Sequence, residues 1–291
     1  MESYNNKKPL ITQGWLRALI FIIFYLAILI LAGVFVVLIW KAGNTGAENS
    51  VPGTLLPYLM IIINTVVSVL IVWLFLKIMD RQSFMSMGFA FKNHESHAGV
   101  GFFLGVLLLC VGTLILWFTK NLQWTDINFN GSELFTGLIT MLLVAFYEEL
   151  VFRGYILNNL LSSLNKWVAL LISSGIFALV HIANPNFSII SAVNIFLAGL
   201  LLGINYIYTK NLWFAIMLHF SWNFFQGPIL GYEVSGLNLT SLFEHEVQGS
   251  ELLTGGKFGF EASLLATVLY IIAIAVLVLV YRKKYELKLK A

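Results

Sequence analysis

"AFYEELVFRGYIL", residues Ala145–Leu157, continues a hydrophobic run and then places two carboxylates and a guanidinium within six residues. Each such charge at the centre of a bilayer costs about 2.5 to 3.5 kcal/mol on scales of helix insertion. Glu148, Glu149 and Arg153 therefore need a reason to lie in an apolar segment.

The whole chain has the composition of a membrane protein. Of its 291 residues, 59% are hydrophobic and 11% are charged, against about 25% charged in a typical soluble domain. A helix that crosses a bilayer needs about 20 mostly apolar residues, so the runs below predict an all-α, polytopic membrane protein with about eight transmembrane helices. The four uncharged runs are Ala18–Trp40, Asn49–Leu76, Ala98–Thr119 and Ala262–Val280. The four less pure runs are Leu134–Tyr147, which continues through the two glutamates, Trp167–Ile182, Phe187–Thr209 and Leu212–Gln226.

The distribution of the basic residues indicates the orientation of these helices in the membrane. With eight crossings, fourteen of the seventeen Lys and Arg residues fall on the side of the two termini, and only Lys41, Lys120 and Lys257 fall on the other. Cytoplasmic loops of membrane proteins are enriched in Lys and Arg. We therefore expect a multi-pass protein of the cell membrane with both termini in the cytoplasm. Seven crossings would place the basic C-terminal tail outside, which this bias disfavours.

The runs also divide the chain into segments. The single Cys110 excludes a disulfide framework, and His94, His97 and His245 are expected to be solvated loop residues. The predicted segments are a cytoplasmic N-terminal tail (1–15), the first three transmembrane helices (16–132), a core of four helices (133–226), an extracytoplasmic loop (227–259), the last transmembrane helix (260–282) and a basic cytoplasmic tail (283–291).

Five ionisable side chains remain at membrane depth once the loops are set aside. Glu149 and Arg153 are four residues apart, so they stack on one helix face as an ion pair. Glu148 points about 100° away from Glu149 and is not committed to that pair. A structural ion pair that neutralises both charges explains the presence of Glu149 and Arg153 as well as a direct role in a reaction does. Glu148 has no such structural explanation. The other two ionisable side chains are His181 and His219.

The same spacing of four residues recurs on two other helices. It places His219 and Asn223 on one shared face, and it seats the ring of Phe177 beneath the imidazole of His181. A lone histidine in a membrane helix usually forms an interhelical hydrogen bond. Acids, two histidines and an amide on separate helices are more typical of a functional site.

The depths of Glu148 and His181 in the membrane predict that their two helices are neighbours. From a turn centred on Leu164, Glu148 lies 16 residues back and His181 lies 17 residues forward. An antiparallel hairpin thus places both side chains about 25 Å above the turn, at about 1.5 Å per residue. His219 lies only nine residues beyond Lys210, so its depth matches only if the hairpin ends lie at different heights.

This combination of groups suits the hydrolysis of an amide by activated water. A carboxylate in apolar surroundings can act as the general base for a water molecule, and His181 would hold the other side of that water. His219 and Asn223 could donate hydrogen bonds to the oxyanion of a tetrahedral intermediate. The H-E-x-x-H signature of zinc proteases is absent from the sequence.

Three motifs resemble those of one family. "EELVFR" (Glu148–Arg153) is similar to E-E-x-x-x-R, "FALVH" (Phe177–His181) to F-x-x-x-H and "HFSWN" (His219–Asn223) to H-x-x-x-N, in the order found in the CPBP family. That family comprises the CAAX-processing endopeptidases and the bacteriocin-processing enzymes also called Abi proteins. The resemblance covers roughly Leu134–Gln226, and "TGGKFGFEASLL" (Thr254–Leu265) resembles the segment before the last helix of bacterial members.

The resemblance implies an eight-helix fold with a conical intramembrane catalytic cavity, and a role for each motif residue. Glu148 would activate water with the help of His181, and His219 and Asn223 would form the oxyanion site. Glu149, Arg153 and Phe177 would support them. The family is often labelled as metalloproteases, and Glu148, His181 and His219 could hold a zinc ion. The glutamate-activated water explains the same residues without a metal, so we expect no cofactor.

The expected partners are the lipid bilayer and a membrane-anchored peptide or lipidated protein as substrate, with no nucleic acid. Prenylated C-terminal peptides, leader peptides and membrane-anchored regulators all remain open as substrates. Two non-proteolytic hypotheses use the same polar cluster: a proton-coupled transporter, and an immunity or scaffold protein. A hydrolase requires Asn223, whereas a proton relay requires mainly the carboxyl groups.

Overall fold

The computed structural model describes residues 8–43 and 55–286. Residues 1–7 of the predicted N-terminal tail and residues 287–291 of the predicted basic tail lie outside the described residues, as does the connection 44–54.

Helices make up most of the described chain. They are α1 (Gly14–Gly43), α2 (Leu55–Phe75), α3 (Glu95–Phe118), α4 (Gly131–Glu149), α5 (Asn158–Leu161), α6 (Lys166–Val180), α7 (Ile189–Thr209), α8 (Trp213–Phe224), α9 (Glu251–Thr254) and α10 (Leu264–Tyr281). The two strands are β1 (Leu122–Ile127) and β2 (Phe243–Val247).

Six helical stretches are long and apolar enough to cross a membrane, which confirms a helical, polytopic membrane protein. The other two predicted crossings are α6 and α8, with 15 and 12 residues. Each is shorter than a bilayer requires, so the count of eight complete crossings stays a prediction. The six long stretches are Gly14–Lys41, Leu56–Asp80, Glu95–Phe118, Gly131–Leu161, Ile189–Thr209 and Leu264–Tyr285.

Burial separates a peripheral helix from a central one. In their most apolar windows, 6% of α1 residues but 56% of α7 residues are buried inside the protein. The side chains of α1 are hydrophobic almost all round, and many are exposed, as expected for a helix that faces lipid. The protein interior is therefore built around α7, and α1 covers one flank.

Two glycines of α3 allow close packing against α8. A β-carbon on Gly101 would overlap the carbonyl oxygen of Phe214, and one on Gly105 would overlap Ser221. Small residues at such crossings let helix backbones approach, which is how membrane helices gain packing energy. This contact fixes the height and the rotation of α8 against α3.

The helix α4 continues directly into the core of the protein. After Glu149 the chain takes up a π-helical conformation over Leu150–Leu157 and then ends in α5. All eight residues of the π-helical segment are buried. Such segments are rare and often occur at functional sites.

The face of the protein opposite the termini carries structure that the sequence did not predict. Strands β1 and β2 pair in antiparallel orientation, although the segment 227–259 was predicted only as an extracytoplasmic loop. Their pairing joins residues more than 100 positions apart, so no turn motif in the sequence predicts it. His245 on β2 is half-buried and contacts the Leu230 carbonyl oxygen at 2.9 Å, which corrects the expectation of a solvated side chain.

His97 is a second correction of the same kind. It lies in the first turns of α3, half-buried, and its Nδ1 accepts a hydrogen bond from the Asn205 amide at 3.3 Å. Helix α7 supplies this partner, so the contact depends on tertiary packing.

Candidate active site

The candidate site lies where α4, α6 and α8 meet. Glu148 and Glu149 are the last two residues of α4, His181 is the C-cap of α6, and His219 lies in the middle of α8. The three motifs of the sequence are therefore brought together in space, as predicted.

The lower part of the site is a buried charge network centred on Glu149. Arg153 Nη1 donates to Glu149 Oε1 at 2.7 Å, which confirms the predicted ion pair. His219 Nδ1 donates to the same oxygen at 2.8 Å. The exposed fractions of the Glu149 and Arg153 side chains are 0% and 1%, so both charges are removed from water and compensate each other.

Arg153 is held by two further contacts. Its Nη2 donates to the Gly199 carbonyl oxygen of α7 at 3.1 Å, and its guanidinium lies over the ring of Phe177, 4.4 Å from the centroid. A desolvated cation above an aromatic face is stabilised by the ring quadrupole. Arg153 thus connects α4, α6 and α7 below the site.

The upper part of the site is Glu148 between two imidazoles. Its Oε2 lies 3.9 Å from His181 Nε2 and 3.9 Å from His219 Nε2. This oxygen is buried and has no hydrogen-bond partner within the described structure. The other oxygen, Oε1, is 3.4 Å from the Tyr147 hydroxyl. Glu148 is thus separate from the ion pair of its neighbour, as the helix geometry predicts.

The ring of His181 is oriented by its own helix. Its Nδ1 lies 2.7 Å from the Phe177 carbonyl oxygen, to which only a protonated nitrogen can donate. In the neutral ring this leaves Nε2 as an acceptor directed toward Glu148. The Phe177 ring lies 4.7 Å from the imidazole centroid, which confirms the predicted aromatic seat.

His219 lies at the same depth as Glu148 because the start of α8 lies at a different height from the α5–α6 turn. Lys210 Nζ donates to Asn158 Oδ1 at 3.2 Å, so the turn before α8 lies at the level of Asn158 and not at the α5–α6 turn. Ten residues separate Glu148 from Asn158, and nine separate Lys210 from His219. At about 1.5 Å per residue, both helices rise about 14 Å to the site.

The site forms part of the wall of a cavity of about 610 Å³. His219 and Asn223 both line it, as their shared helix face predicts. The Asn223 side chain is 5% exposed, and within the described residues its amide makes no hydrogen bond to the protein. The amide is therefore available to a molecule in the cavity.

Three lining residues were missed by the sequence analysis. Tyr147 contacts Glu148, the buried indole N–H of Trp222 has no partner among the described residues, and Glu261 brings a further carboxylate. Glu261 stands directly before the last hydrophobic run, where its charge was a usable signal. Tyr147 and Trp222 look like ordinary membrane-helix residues in sequence.

A metal fits this arrangement poorly. Ligand atoms on one tetrahedral zinc, at about 2.0–2.2 Å from it, lie about 3.4 Å apart. The Glu148 oxygen lies 3.9 Å from each histidine nitrogen, and within the described chain no three His, Cys, Asp or Glu side chains are grouped to hold a metal. The expectation of a metal-free site stays a prediction.

The comparisons with known proteins agree with the motifs. The family model described as type II CAAX prenyl endopeptidase Rce1-like matches residues 130–225. No curated protein and no solved structure matched the chain. The matched family supports a peptidase in the membrane and does not favour a transporter or a scaffold. Over residues 130–225, the chain thus has the resemblance to the CAAX-processing endopeptidases that its three motifs predict.

Proposed function

We propose that this protein is an intramembrane endopeptidase that cleaves a membrane-associated peptide or protein with water activated by Glu148. One observation carries the proposal: the buried Glu148 Oε2, without a partner in the described structure, faces two imidazole nitrogens at 3.9 Å each, beside the cavity. The Rce1-like match supports peptidase chemistry at the same residues.

In this proposal, a water molecule bridges these groups. A separation of 3.9 Å is too long for a direct hydrogen bond, and polar groups beyond that range are commonly linked through a water molecule. Glu148 Oε2 and His181 Nε2 are both acceptors, so one water can donate a hydrogen to each. Its lone pair is then free to attack a carbonyl carbon.

The bond changes of the reaction balance without a further reactant. The water oxygen bonds to the carbonyl carbon of the scissile peptide, its proton passes to Glu148, and the carbonyl oxygen becomes an oxyanion. Collapse of this intermediate breaks the C–N bond, and Glu148 returns the proton to the leaving nitrogen. The products are a carboxylic acid and an amine.

His219 and Asn223 would stabilise the oxyanion. Glu149 accepts the Nδ1 proton of His219, which fixes the orientation of the ring. A proton on Nε2 can then be donated to the oxyanion, together with a proton of the Asn223 amide. Donors placed in advance toward a developing charge are typically the largest electrostatic contribution to such catalysis.

Glu149, Arg153 and Phe177 would act as positioning residues. Arg153 keeps the Glu149 carboxylate in place, and Phe177 contacts both the guanidinium and the His181 ring. In this proposal the substrate is a membrane-anchored peptide or a lipidated protein, the termini are cytoplasmic, and no metal takes part.

Cleavage in proteoliposomes tests the proposal. The reporters are prenylated, leader-type and membrane-anchored peptides, and the variants are Glu148→Gln and Asn223→Ala. We expect a loss of about 10²–10⁴-fold in kcat for Glu148→Gln because the base is removed. We expect about 10²–10³-fold for Asn223→Ala because one oxyanion donor is removed. Each rate is measured with and without a chelator.

The control is Glu133→Gln, the same change at an exposed position in the first turn of α4, which should cleave at the wild-type rate. Equal cleavage by wild type and Glu148→Gln would show the base assignment to be wrong. Activity lost to the chelator and restored by zinc would overturn the metal-free expectation. An unchanged Asn223→Ala rate would remove the amide from the oxyanion site.

A further inference from the structure

Among the described residues, the cavity reaches exposed loop residues at the end opposite the termini. Its rim there is formed by the segment between α8 and α10, where Asn238 and Thr240 are exposed and line the cavity. Glu261 and Ser235 lie just inside this rim, and the Ser235 N–H and hydroxyl donate to the Glu261 carboxylate at 2.6 and 2.7 Å. Within the described chain, none of the lining residues belongs to the connections at the end that carries the termini.

The other end of the site is closed by packed side chains. Below Glu149 lie Arg153 and then Tyr155, Leu157 and Tyr206, whose exposed fractions are between 0% and 1%. The Tyr206 hydroxyl donates to the Met87 carbonyl oxygen at 2.9 Å, which closes this layer against the α2–α3 connection. A peptide cannot pass through a layer packed at protein density.

One wall of the cavity is apolar and adjoins the lipid-facing surface. Leu26 and Leu29 of α1 and Met60 and Ile61 of α2 line it. Leu26 is 36% exposed, so this wall continues onto the outer surface of the protein. The cavity thus combines an apolar side, suited to a membrane anchor, with a polar rim suited to a peptide backbone.

The charges of the two ends differ. Of the fourteen Lys and Arg residues that the structure describes, eleven lie toward the end that carries the termini, where the site is closed. The segment 227–263 at the open end contains five glutamates and one lysine. Because cytoplasmic ends are the basic ones, the open end faces away from the cytoplasm.

We propose, on the basis of the peptidase function above, that the substrate enters from the extracytoplasmic side. It is a membrane-anchored polypeptide with its cleavable segment in the outer half of the bilayer or just outside it. The anchor lies along the apolar wall of α1 and α2, and the segment to be cut passes the rim at Asn238 and Glu261. A lipidated C-terminus presented in the cytoplasm does not reach Glu148.

Labelling of single cysteines from each side of the membrane tests this access. In a Cys110→Ser background, Val144→Cys places a thiol on the cavity wall, four residues before Glu148. Asn238→Cys marks the rim, and Ser86→Cys marks the exposed α2–α3 connection at the closed end. Spheroplasts and inverted vesicles are treated with a charged maleimide that does not cross membranes.

We expect Val144→Cys and Asn238→Cys to react only in spheroplasts, and Ser86→Cys only in inverted vesicles. Reaction of Val144→Cys from the cytoplasmic side, or from neither side while the other two react, would overturn the inference. Reaction of Asn238→Cys from the cytoplasmic side would overturn it as well.

The labelling is independent of proteolysis, so its outcome separates the two proposals. If Val144→Cys reacts from the cytoplasm while Glu148-dependent cleavage persists, the peptidase stands and the route of access is wrong. If it reacts from outside and no reporter is cleaved, the route stands and the peptidase proposal is wrong.

Discussion

At the scale of single residues, the two adjacent glutamates have different environments. Glu149 shares one oxygen between Arg153 and His219 at 2.7 and 2.8 Å. Glu148 faces two imidazoles across 3.9 Å and has a buried oxygen without a partner in the described structure. One glutamate therefore compensates a buried cation, and the other is the residue to which we assign the general base.

The first prediction concerns Arg153→Met. The change leaves Glu149 buried with only His219 as a partner, because the guanidinium is removed. Removing one member of a buried ion pair destabilises a protein by about 3–5 kcal/mol. We expect a loss of this size in the free energy of unfolding, measured by denaturation in detergent.

The matched control is Arg81→Met at an exposed arginine, for which the change should stay within about 0.5 kcal/mol. Equal stability of the two variants would show that Arg153 does not compensate the charge of Glu149.

At the scale of helices, the α3–α8 contact sets the height of His219. Gly101 lies directly against the Phe214 carbonyl oxygen, whereas a β-carbon on Gly99 would meet no atom within 4 Å. The two glycines lie two residues apart on the same helix and differ only in the face that they occupy.

We predict opposite effects of alanine at these two positions. Gly99→Ala should stabilise the protein by up to about 1 kcal/mol, since alanine is the better helix former. Gly101→Ala should destabilise it, because a backbone oxygen must move to admit the new methyl group. Thermal unfolding in detergent measures both.

A reporter cleavage assay adds a second readout for the helix contact. Gly101→Ala should also slow cleavage, because a shift of α8 moves His219 and Asn223 away from Glu148. Stability of Gly101→Ala equal to or above that of Gly99→Ala would contradict the close packing of α3 and α8.

At the scale of the whole molecule, a buried network attaches the peripheral helix α1. Arg17 of α1 lies 2.8 Å from Asp80, which follows α2, and its Nε also donates to Asn159 of α5 at 2.7 Å. The Tyr155 hydroxyl donates to the second Asp80 oxygen at 2.7 Å. The network joins three helices at the end that carries the termini, where the site is closed.

We predict that Asp80→Leu alone costs about 3–5 kcal/mol of stability, since Arg17 is left buried without its anion. The double variant Arg17→Met/Asp80→Leu should recover much of this loss, because buried pairs can often be replaced by apolar residues. Asp126→Asn, at an exposed acid on β1, is the control. A double variant less stable than Asp80→Leu would show that Arg17 has a further role.

The sequence alone predicted the residues of the candidate site and their local geometry. Spacing of four within one helix predicts the Glu149–Arg153 pair, the Phe177–His181 contact and the shared face of His219 and Asn223, because helix periodicity is local information. Composition predicted a polytopic membrane protein for the same reason, since each helix must be apolar enough by itself.

Only the tertiary structure decided which helices meet and at what height. Lys210 against Asn158 places the start of α8 well above the α5–α6 turn, and this brings His219 to Glu149 and Glu148. Contacts between distant segments also form the β1–β2 pairing and the Arg17–Asp80 network. The cavity is likewise lined by residues from several helices. No local pattern specifies them, because they depend on how the helices pack against one another.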